Sequence, residues 1–196
     1  MTVRKGKVTR TTGETDIKLS INLDGQGKYK LETAVPFLDH MLALWSKQAL
    51  FDLEVKGVGD IMVDDHHTVE DIGICLGQAF AQALGGKEGI TRYGTSFVPM
   101  DEALAMVSLD LSGRAFLAMD ADMPSAKVGD FDTELVEEFL RAFAFNAGIT
   151  LHIKLLAGKN THHIIEAIFK ALGRALRDAV TIDSRIKGVP STKGKL

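Results

Sequence analysis

The sequence is poor in cysteine and proline, and it has no long apolar run. Its 196 residues include one cysteine and four prolines. A single cysteine excludes an intramolecular disulfide and a zinc cluster built from several thiolates, and it agrees with a reducing compartment. Because no run of about eighteen apolar residues exists, we expect neither a membrane-spanning helix nor a secretory leader. We therefore expect a cytoplasmic protein.

An excess of charge of one sign is also missing. Lysine and arginine total 23, aspartate and glutamate total 26, and the formal net charge is −3. This balance gives no basic footprint for nucleic acid or an anionic membrane, so we expect neither as a partner. The fractions of 45% hydrophobic and 25% charged residues are those of an ordinary globular protein.

Hydrophobic periodicity predicts the same order of elements twice. Alternation of apolar and polar residues predicts strands, and apolar residues at helical spacing predict helices. The order in the first part is strand, strand, helix, strand, helix, over residues 16–23, 28–34, 36–45, 51–58 and 65–84. In the second part it covers 104–111, 115–120, 133–146, 150–156 and a helix that begins near Asn160 or Thr161. In each part we expect the first two strands to form a hairpin.

The two parts match in register as well as in order. Residues 19–25 align with 107–113, and Glu14 aligns with Glu102. We therefore predict an α+β fold with a tandem duplication of units of about 90 residues, 1–93 and 94–196, which form one compact unit. Each unit is expected to have a four-stranded sheet with helices on one face. The segments before Glu14 and around 91–98 would supply the fourth strands.

Four of the six histidines form two doublets, each within a His-His-x-x-Glu motif that opens the last helix of its unit. Residues four apart share a helix face, so His66 with Glu70, and His162 with Glu166, can face one metal ion. The second histidine of each doublet lies about 100° further round the helix, towards a second ion or an interface. Imidazole and carboxylate without thiolate favour Mn, Fe, Co, Ni or Zn.

The residues alone leave three classes of function open. A lyase or isomerase could use a dinuclear metal site, and a metallohydrolase could use a bridging hydroxide. A metal-binding or storage protein without catalysis is the third. His40 and His152 are further ligand candidates, and they align with Glu138 and Glu54, so the two units are not equivalent.

Five segments carry a resemblance to a known family. They are residues 10–15 (RTTGET), 37–41 (FLDHM), 65–71 (DHHTVED), 160–167 (NTHHIIEA) and 190–194 (PSTKG). With these segments the chain resembles the imidazoleglycerol-phosphate dehydratases over essentially its whole length. The resemblance implies a carbon–oxygen lyase of histidine biosynthesis that converts D-erythro-imidazole glycerol phosphate into imidazole acetol phosphate. It also implies two Mn²⁺ per active site and a homo-oligomer of about 24 chains with active sites at subunit interfaces.

The resemblance also implies roles for individual residues. The implied metal ligands are His40, His66, His67, Glu70, His152, His162, His163 and Glu166. The implied substrate-binding residues are Glu14, Gln48, Arg92, Arg114, Lys170, Ser191 and Lys193, and the last five would hold the phosphate. The implied catalytic carboxylates are Glu14, Glu70 and Glu166.

A mechanism can be written for this reaction as a hypothesis. Metal on the ring nitrogens favours the imidazolate form of the substrate and makes the ring an electron reservoir. The hydroxyl next to the ring then leaves, which gives a diazafulvene-type intermediate. Glu14 is the candidate base that takes the proton from the adjacent carbon and so forms the enol of the product.

Overall fold

The computed structural model describes residues 3–196, so Met1 and Thr2 of the predicted first unit lie outside the described range. The first half contains β1 (Lys5–Thr11), β2 (Thr15–Asn22), β3 (Tyr29–Glu32), α1 (Pro36–Ala49), β4 (Asp52–Gly59) and α2 (His66–Leu84). The second half contains β5 (Tyr93–Met100), β6 (Ala103–Asp110), β7 (Phe116–Asp120), β8 (Lys127–Val128), β9 (Phe131–Asp132), α3 (Leu135–Ala147), β10 (Thr150–Ala157) and α4 (Thr161–Val180).

Each half forms a four-stranded sheet with the same topology. The strand order is β1-β2-β4-β3 in the first sheet and β5-β6-β10-β7 in the second. Strands β1, β2, β4 and β3 of the first sheet are thus equivalent to β5, β6, β10 and β7 of the second. The predicted α+β duplication is confirmed, including the fourth strands, β1 and β5. The division of the chain between residues 93 and 94 stays a prediction.

The two predicted hairpins are wrong. β3 pairs in parallel with β4 rather than with β2, and β7 pairs in parallel with β10 rather than with β6. Parallel neighbours need a long crossover, and helices α1 and α3 provide it. The central strands β4 and β10 accept a neighbour on both sides, which leaves β2 and β3 on opposite sides of β4.

The helices lie between the two sheets and join the halves crosswise. α2 packs on β1 and β2, and α4 packs on β5 and β6, while α2 also contacts α3 and α1 contacts α4. Glycines make the helix contacts close: a Cβ atom on Gly77 would lie 2.6 Å from the Phe143 carbonyl oxygen, and one on Gly173 would lie 2.7 Å from that of Trp45. Side chains larger than hydrogen would force these helices apart. This packing fixes α1 against α4 and so brings His40 on α1 close to Glu166 on α4.

The outer faces of the two sheets differ. The outer face of the first sheet carries charged side chains, among them Lys5, Lys7, Lys18, Glu54 and Lys56. The outer face of the second sheet, here called the apolar face, presents Tyr93, Phe97 and Phe116, which are 58%, 58% and 54% exposed, around His152. These aromatic side chains share the face with the ion pair of Lys154 and Asp120, and exposed aromatic side chains on one surface are typical of interaction sites.

Among the smaller features, one hairpin was not predicted, whereas the starts of helices α2 and α4 agree with the sequence prediction. Between β7 and α3 lies a short hairpin, β8 and β9, which was not predicted from the sequence. Helix α2 begins at His66, and α4 begins at Thr161 after an Asn160 cap. Within residues 3–196 no helix is both long and apolar enough to cross a membrane.

Candidate metal and substrate site

The second doublet is held by the cap of helix α4. The Asn160 side-chain oxygen accepts hydrogen bonds from the backbone N–H groups of His162 (2.9 Å) and His163 (3.3 Å). An N-cap of this kind satisfies N–H groups that have no partner within the helix, and it fixes the first turn. The cap therefore fixes the backbone that carries the imidazoles of His162 and His163.

Three predicted ligands from two helices meet beside this turn. Oε2 of Glu166 lies 3.5 Å from Nε2 of His40 on α1 and 3.4 Å from Nε2 of His162 on α4. One ligand atom from each of these residues lies within 4.8 Å of the others. Donors bound at about 2.1 Å to one ion stand about 3 to 3.5 Å apart, so this set fits a shared divalent ion. Its two imidazoles and one carboxylate suit a first-row transition metal.

A lysine neutralises the carboxylate of this cluster. Nζ of Lys170, one helical turn after Glu166, lies 2.5 Å from Oε1 of Glu166. Burial alone would raise the pKa of Glu166, but the hydrogen bond and charge of Lys170, with smaller contributions from His40 and His162, hold that pKa below its usual value. Glu166 is therefore a carboxylate, the form that binds metal.

The first doublet lies in more open surroundings. Asp64 accepts a hydrogen bond from the backbone N–H of His66 at 2.8 Å. Nε2 of His66 lies 3.9 Å from Oε2 of Glu70, and both side chains are more than 40% exposed. Among the described residues, the clusters able to share an ion do not include His66 or Glu70. Within residues 3–196 this pair has the expected spacing but no third ligand beside it, whereas the neighbouring His67 forms a second candidate cluster with Glu14 and Asp60.

The second histidine of each doublet contacts a carboxylate through Nδ1. Nδ1 of His67 lies 3.0 Å from Asp60 and 3.7 Å from Oε2 of Glu14, and Nδ1 of His163 lies 2.7 Å from Glu102. These hydrogen bonds raise the pKa of both imidazoles. The bond from His163, helped by the backbone N–H groups of residues 159 and 160, lowers the pKa of Glu102 to about 2.

Asp60 and Glu102 were not predicted as site residues. The alignment of Glu102 with Glu14 was a usable signal, because it placed a carboxylate before each doublet in the same register. Asp60 had no such signal, since only the fold brings the end of β4 beside the first turn of α2.

His152 lies apart from the other predicted ligands. It is exposed on β10 in the apolar face, and its ring centroid is 6.2 Å from that of Phe116. The histidine–carboxylate clusters of the described residues do not include it. Its assignment as a metal ligand stays a prediction, as do the other ligand assignments.

Four of the five predicted phosphate-binding residues line one cavity of about 760 Å³, namely Arg92, Arg114, Ser191 and Lys193. Asp110 holds the Arg92 guanidinium in place, because it accepts from Nε at 2.7 Å and from Nη2 at 3.0 Å. Nη1 of Arg92 also donates to the Pro190 carbonyl at 2.8 Å. Guanidinium, ammonium and hydroxyl donors gathered in one cavity suit the oxygens of a phosphate.

Of the three remaining substrate-binding predictions, Glu14 lies beside His67, and Lys170 and Gln48 lie elsewhere in the chain. Lys170 contacts Glu166 in the metal cluster, and its Nζ lies 3.5 Å from the sulfur of Met100. Gln48 lies on α1 where this helix approaches Gly173 of α4. The structure therefore does not bring these two residues to the cavity of the same chain.

The sequence and fold were compared with known proteins. A family model described as imidazoleglycerol-phosphate dehydratase matches residues 33–176. A protein of that name from Acetivibrio thermocellus is 65% identical over 193 residues, which cover 98% of this chain and 99% of the relative. One from Clostridium novyi is 63% identical over 194 residues, with 99% of each covered.

Solved structures agree with the sequence comparisons. The crystal structure of imidazoleglycerol-phosphate dehydratase from Staphylococcus aureus has a TM-score of 0.84 at 46% identity, and the match covers 91% of this chain and 99% of that one. The structure from Pyrococcus furiosus has a TM-score of 0.83 at 40% identity, over 96% and 100% of the two chains. The matched relatives span the full length of the fold, and the chain belongs to the imidazoleglycerol-phosphate dehydratase family.

Proposed function

We propose that this dehydratase of histidine biosynthesis, a carbon–oxygen lyase, removes water from D-erythro-imidazole glycerol phosphate with two Mn²⁺ ions in each active site. The product is imidazole acetol phosphate. The observation that carries the proposal is the meeting of His40, His162 and Glu166 around one point, although they come from opposite halves of the chain. A conserved fold alone does not require three such ligands to converge.

The proposed metal ligands divide into two groups. His162, Glu166 and His40 would hold one ion, and His66 with Glu70 would hold the other. His67 and His163 would each serve the ion of the opposite doublet, and His152 would complete a site in another subunit. When bound, the metal supplies Lewis acidity to the ring nitrogens of the substrate, which makes the imidazole ring better able to hold negative charge.

Glu14 is the proposed base. Its side chain is 56% exposed, and its Oε2 lies 3.7 Å from Nδ1 of His67, at the edge of the first doublet. A carboxylate in this position can accept the carbon-bound proton after the hydroxyl next to the ring has left. Departure of the hydroxyl would give a diazafulvene-type intermediate, and the proton transfer to Glu14 would convert this intermediate into the enol, which becomes the ketone.

The cavity beside Arg92 is the proposed phosphate site. Asp110 orients Arg92, and Arg114, Ser191 and Lys193 add further donors on the same wall. Holding the phosphate there would anchor the substrate at the end remote from the reacting carbons. Such anchoring raises the reaction rate because it restricts the substrate to productive orientations.

We also propose a homo-oligomer of about 24 chains with active sites at its interfaces. Two observations support an interface: the exposed aromatic side chains of the apolar face, and the exposed pair of His66 and Glu70, which has no third candidate ligand beside it among the described residues. A second chain could cover the former and complete the latter with His152. The single, buried cysteine and the biosynthetic role favour a cytoplasmic location.

The proposal is tested by removing and restoring metal. Chelator-stripped protein should lose turnover, and Mn²⁺ should restore it together with about two ions per chain. The assay follows formation of the ketone and, in parallel, release of inorganic phosphate. Full activity of the stripped protein would contradict the metal mechanism, and phosphate release without ketone would indicate a hydrolase instead.

A further inference from the structure

We propose that Asp60 and Glu102 are positioning residues, which hold His67 and His163 with a proton on Nδ1 and leave each Nε2 free to bind metal. The inference rests on the proposed function, because it concerns how the chain prepares two of the proposed ligands. It assigns the task of orienting a histidine to one carboxylate beside each doublet, Asp60 in the first half and Glu102 in the second.

Glu102 makes three contacts that fix its orientation. Its Oε1 accepts hydrogen bonds from the backbone N–H groups of Lys159 (3.1 Å) and Asn160 (2.7 Å). Its Oε2 then lies 2.7 Å from Nδ1 of His163. A carboxylate only accepts hydrogen bonds, so Nδ1 of His163 carries a proton, and in the neutral imidazole Nε2 then presents the lone pair.

Asp60 contacts His67 in a different way. Its two oxygens lie 3.0 and 3.2 Å from the same nitrogen, Nδ1 of His67. The carboxylate thus selects the same tautomer as Glu102 does, but it arrives from the end of β4 rather than from the turn before β6. A carboxylate on the far nitrogen of a ligand also orients the ring and makes it a stronger metal ligand.

The duplicated register shows what this arrangement makes possible. Glu102 corresponds to Glu14, and the position of Asp60 corresponds to Gly158. A side chain at Gly158 has no room, because a Cβ atom there would lie 2.7 Å from Cγ1 of Ile164. In the second half the glutamate must therefore orient the histidine. In the first half Asp60 does so, and Glu14, at 3.7 Å from Nδ1, is free for another task.

The two contacts predict opposite responses to amide substitution. In Glu102→Gln one end of the side chain must remain an acceptor for two backbone N–H groups, so the NH₂ group faces Nδ1 of His163. The imidazole then moves its proton to Nε2 and loses the lone pair that metal needs. In Asp60→Asn the amide can turn its oxygen to His67, because either oxygen of Asp60 already reaches Nδ1.

The experiment compares Glu102→Gln, Asp60→Asn and Asp60→Ala with the unchanged protein. Affinity for Mn²⁺ alone is measured by competition with a fluorescent chelator, and the tautomers of metal-free protein are read from histidine ring ¹⁵N shifts. Glu54→Gln is the matched control, because Glu54 is exposed on the outer face of the first sheet, away from both doublets.

We expect Glu102→Gln and Asp60→Ala to weaken the binding of one Mn²⁺ by about 10- to 100-fold. Asp60→Asn and Glu54→Gln should change it by less than about threefold, and only Glu102→Gln should move the proton of His163 to Nε2. Unchanged affinity and an unchanged tautomer in Glu102→Gln would overturn the assignment. If that variant does not fold, equal affinities of Asp60→Ala and Asp60→Asn would overturn it.

The outcomes also separate this inference from the proposed function. Unchanged protein that binds Mn²⁺ and turns over substrate, next to variants of unaltered affinity, would refute the positioning role alone. Unchanged protein that shows no Mn²⁺-dependent turnover would refute the proposed function. A proton shifted to Nε2 of His163 in the metal-free variant would still support the positioning role, because the ¹⁵N measurement needs no metal.

Discussion

Helices α2 and α4 begin with the same His-His-x-x-Glu motif, yet their surroundings differ. The Glu166 side chain is 9% exposed, is paired with Lys170 and faces His40, whereas the Glu70 side chain is 46% exposed. The residue one turn after Glu70 is Ile74, so no ammonium group replaces Lys170 there. The motif supplies candidate ligands at the start of both helices, but the neighbouring residues decide whether its glutamate is part of a three-residue cluster.

The outer faces of the sheets extend this comparison. The charged face of the first sheet is suited to water, whereas the apolar face of the second sheet exposes three aromatic side chains around His152. A lone exposed histidine and an incomplete doublet are complementary when two chains meet. In the proposed assembly, the pair of His66 and Glu70 would need a ligand from a second chain, whereas His40, His162 and Glu166 converge within one chain.

The strongest way to break the comparison is to separate the chains. Phe97→Glu together with Phe116→Glu places charge on the apolar face at exposed positions, so each chain should still fold. We expect the mass measured by light scattering to fall to that of one chain. Bound Mn²⁺ should fall from two ions to one per chain, and turnover should fall by at least about a thousandfold, because half of the metal site is missing.

Single substitutions in the separated protein identify the ion that remains. His162→Ala should remove it, whereas His66→Ala should leave it bound. Lys18→Glu, on the charged face of the first sheet, is the matched control. The assembly formed by this variant should have the same mass as the assembly of the unchanged protein. Two tightly bound ions in separated chains would show that the first doublet needs no partner.

Glu14→Gln sharpens the comparison between the two aligned glutamates. Loss of the base should lower kcat by about 10²- to 10⁴-fold. Metal content should stay at the level of the unchanged protein, because Glu14 lies 3.7 Å from His67, beyond hydrogen-bond distance. Metal analysis and steady-state kinetics measure the two effects. Turnover within tenfold of the unchanged protein, at intact metal content, would remove Glu14 from the mechanism.

The smallest expected effect concerns the stability of metal-free protein. Glu166→Ala should lower the free energy of unfolding by about 2 kcal/mol, because it leaves the mostly buried ammonium of Lys170 without its partner. Glu70→Ala should cost less than about 0.5 kcal/mol, since its side chain is exposed. Urea unfolding measures both, and Lys170→Met should restore part of the loss in Glu166→Ala. Equal losses in the two alanine variants would show that burial does not distinguish the doublets.

Much of the fold followed from local patterns. The duplication, the helices and most strands were predictable because periodicity of 2.0 or about 3.6 residues reflects which side chains face the core. The hairpins were wrong because alternation in β2 and β3 says which face is buried but not which strand lies alongside. Pairing of β3 with β4 depends on the crossover through α1, a contact between distant segments.

Some contacts of the candidate site could likewise be predicted from local spacing, and others could not. The spacing of His66 with Glu70 and of His162 with Glu166 follows from helix geometry, so the sequence itself put each pair on one face. The contact of His40 with Glu166 needs α1 packed on α4, and Asp60 needs the end of β4 beside α2. No local pattern contains those distances.

The sequence by itself determined the two repeats, the ligand types and the absence of a thiolate site, because these depend on composition and on short-range periodicity. The tertiary structure decided which glutamate of the two motifs is buried, which carboxylate contacts Nδ1 of each second histidine and which sheet face exposes aromatic side chains. Those properties depend on contacts between segments far apart in the chain. Two identical motifs therefore differ in burial and neighbouring charge only once the chain has folded.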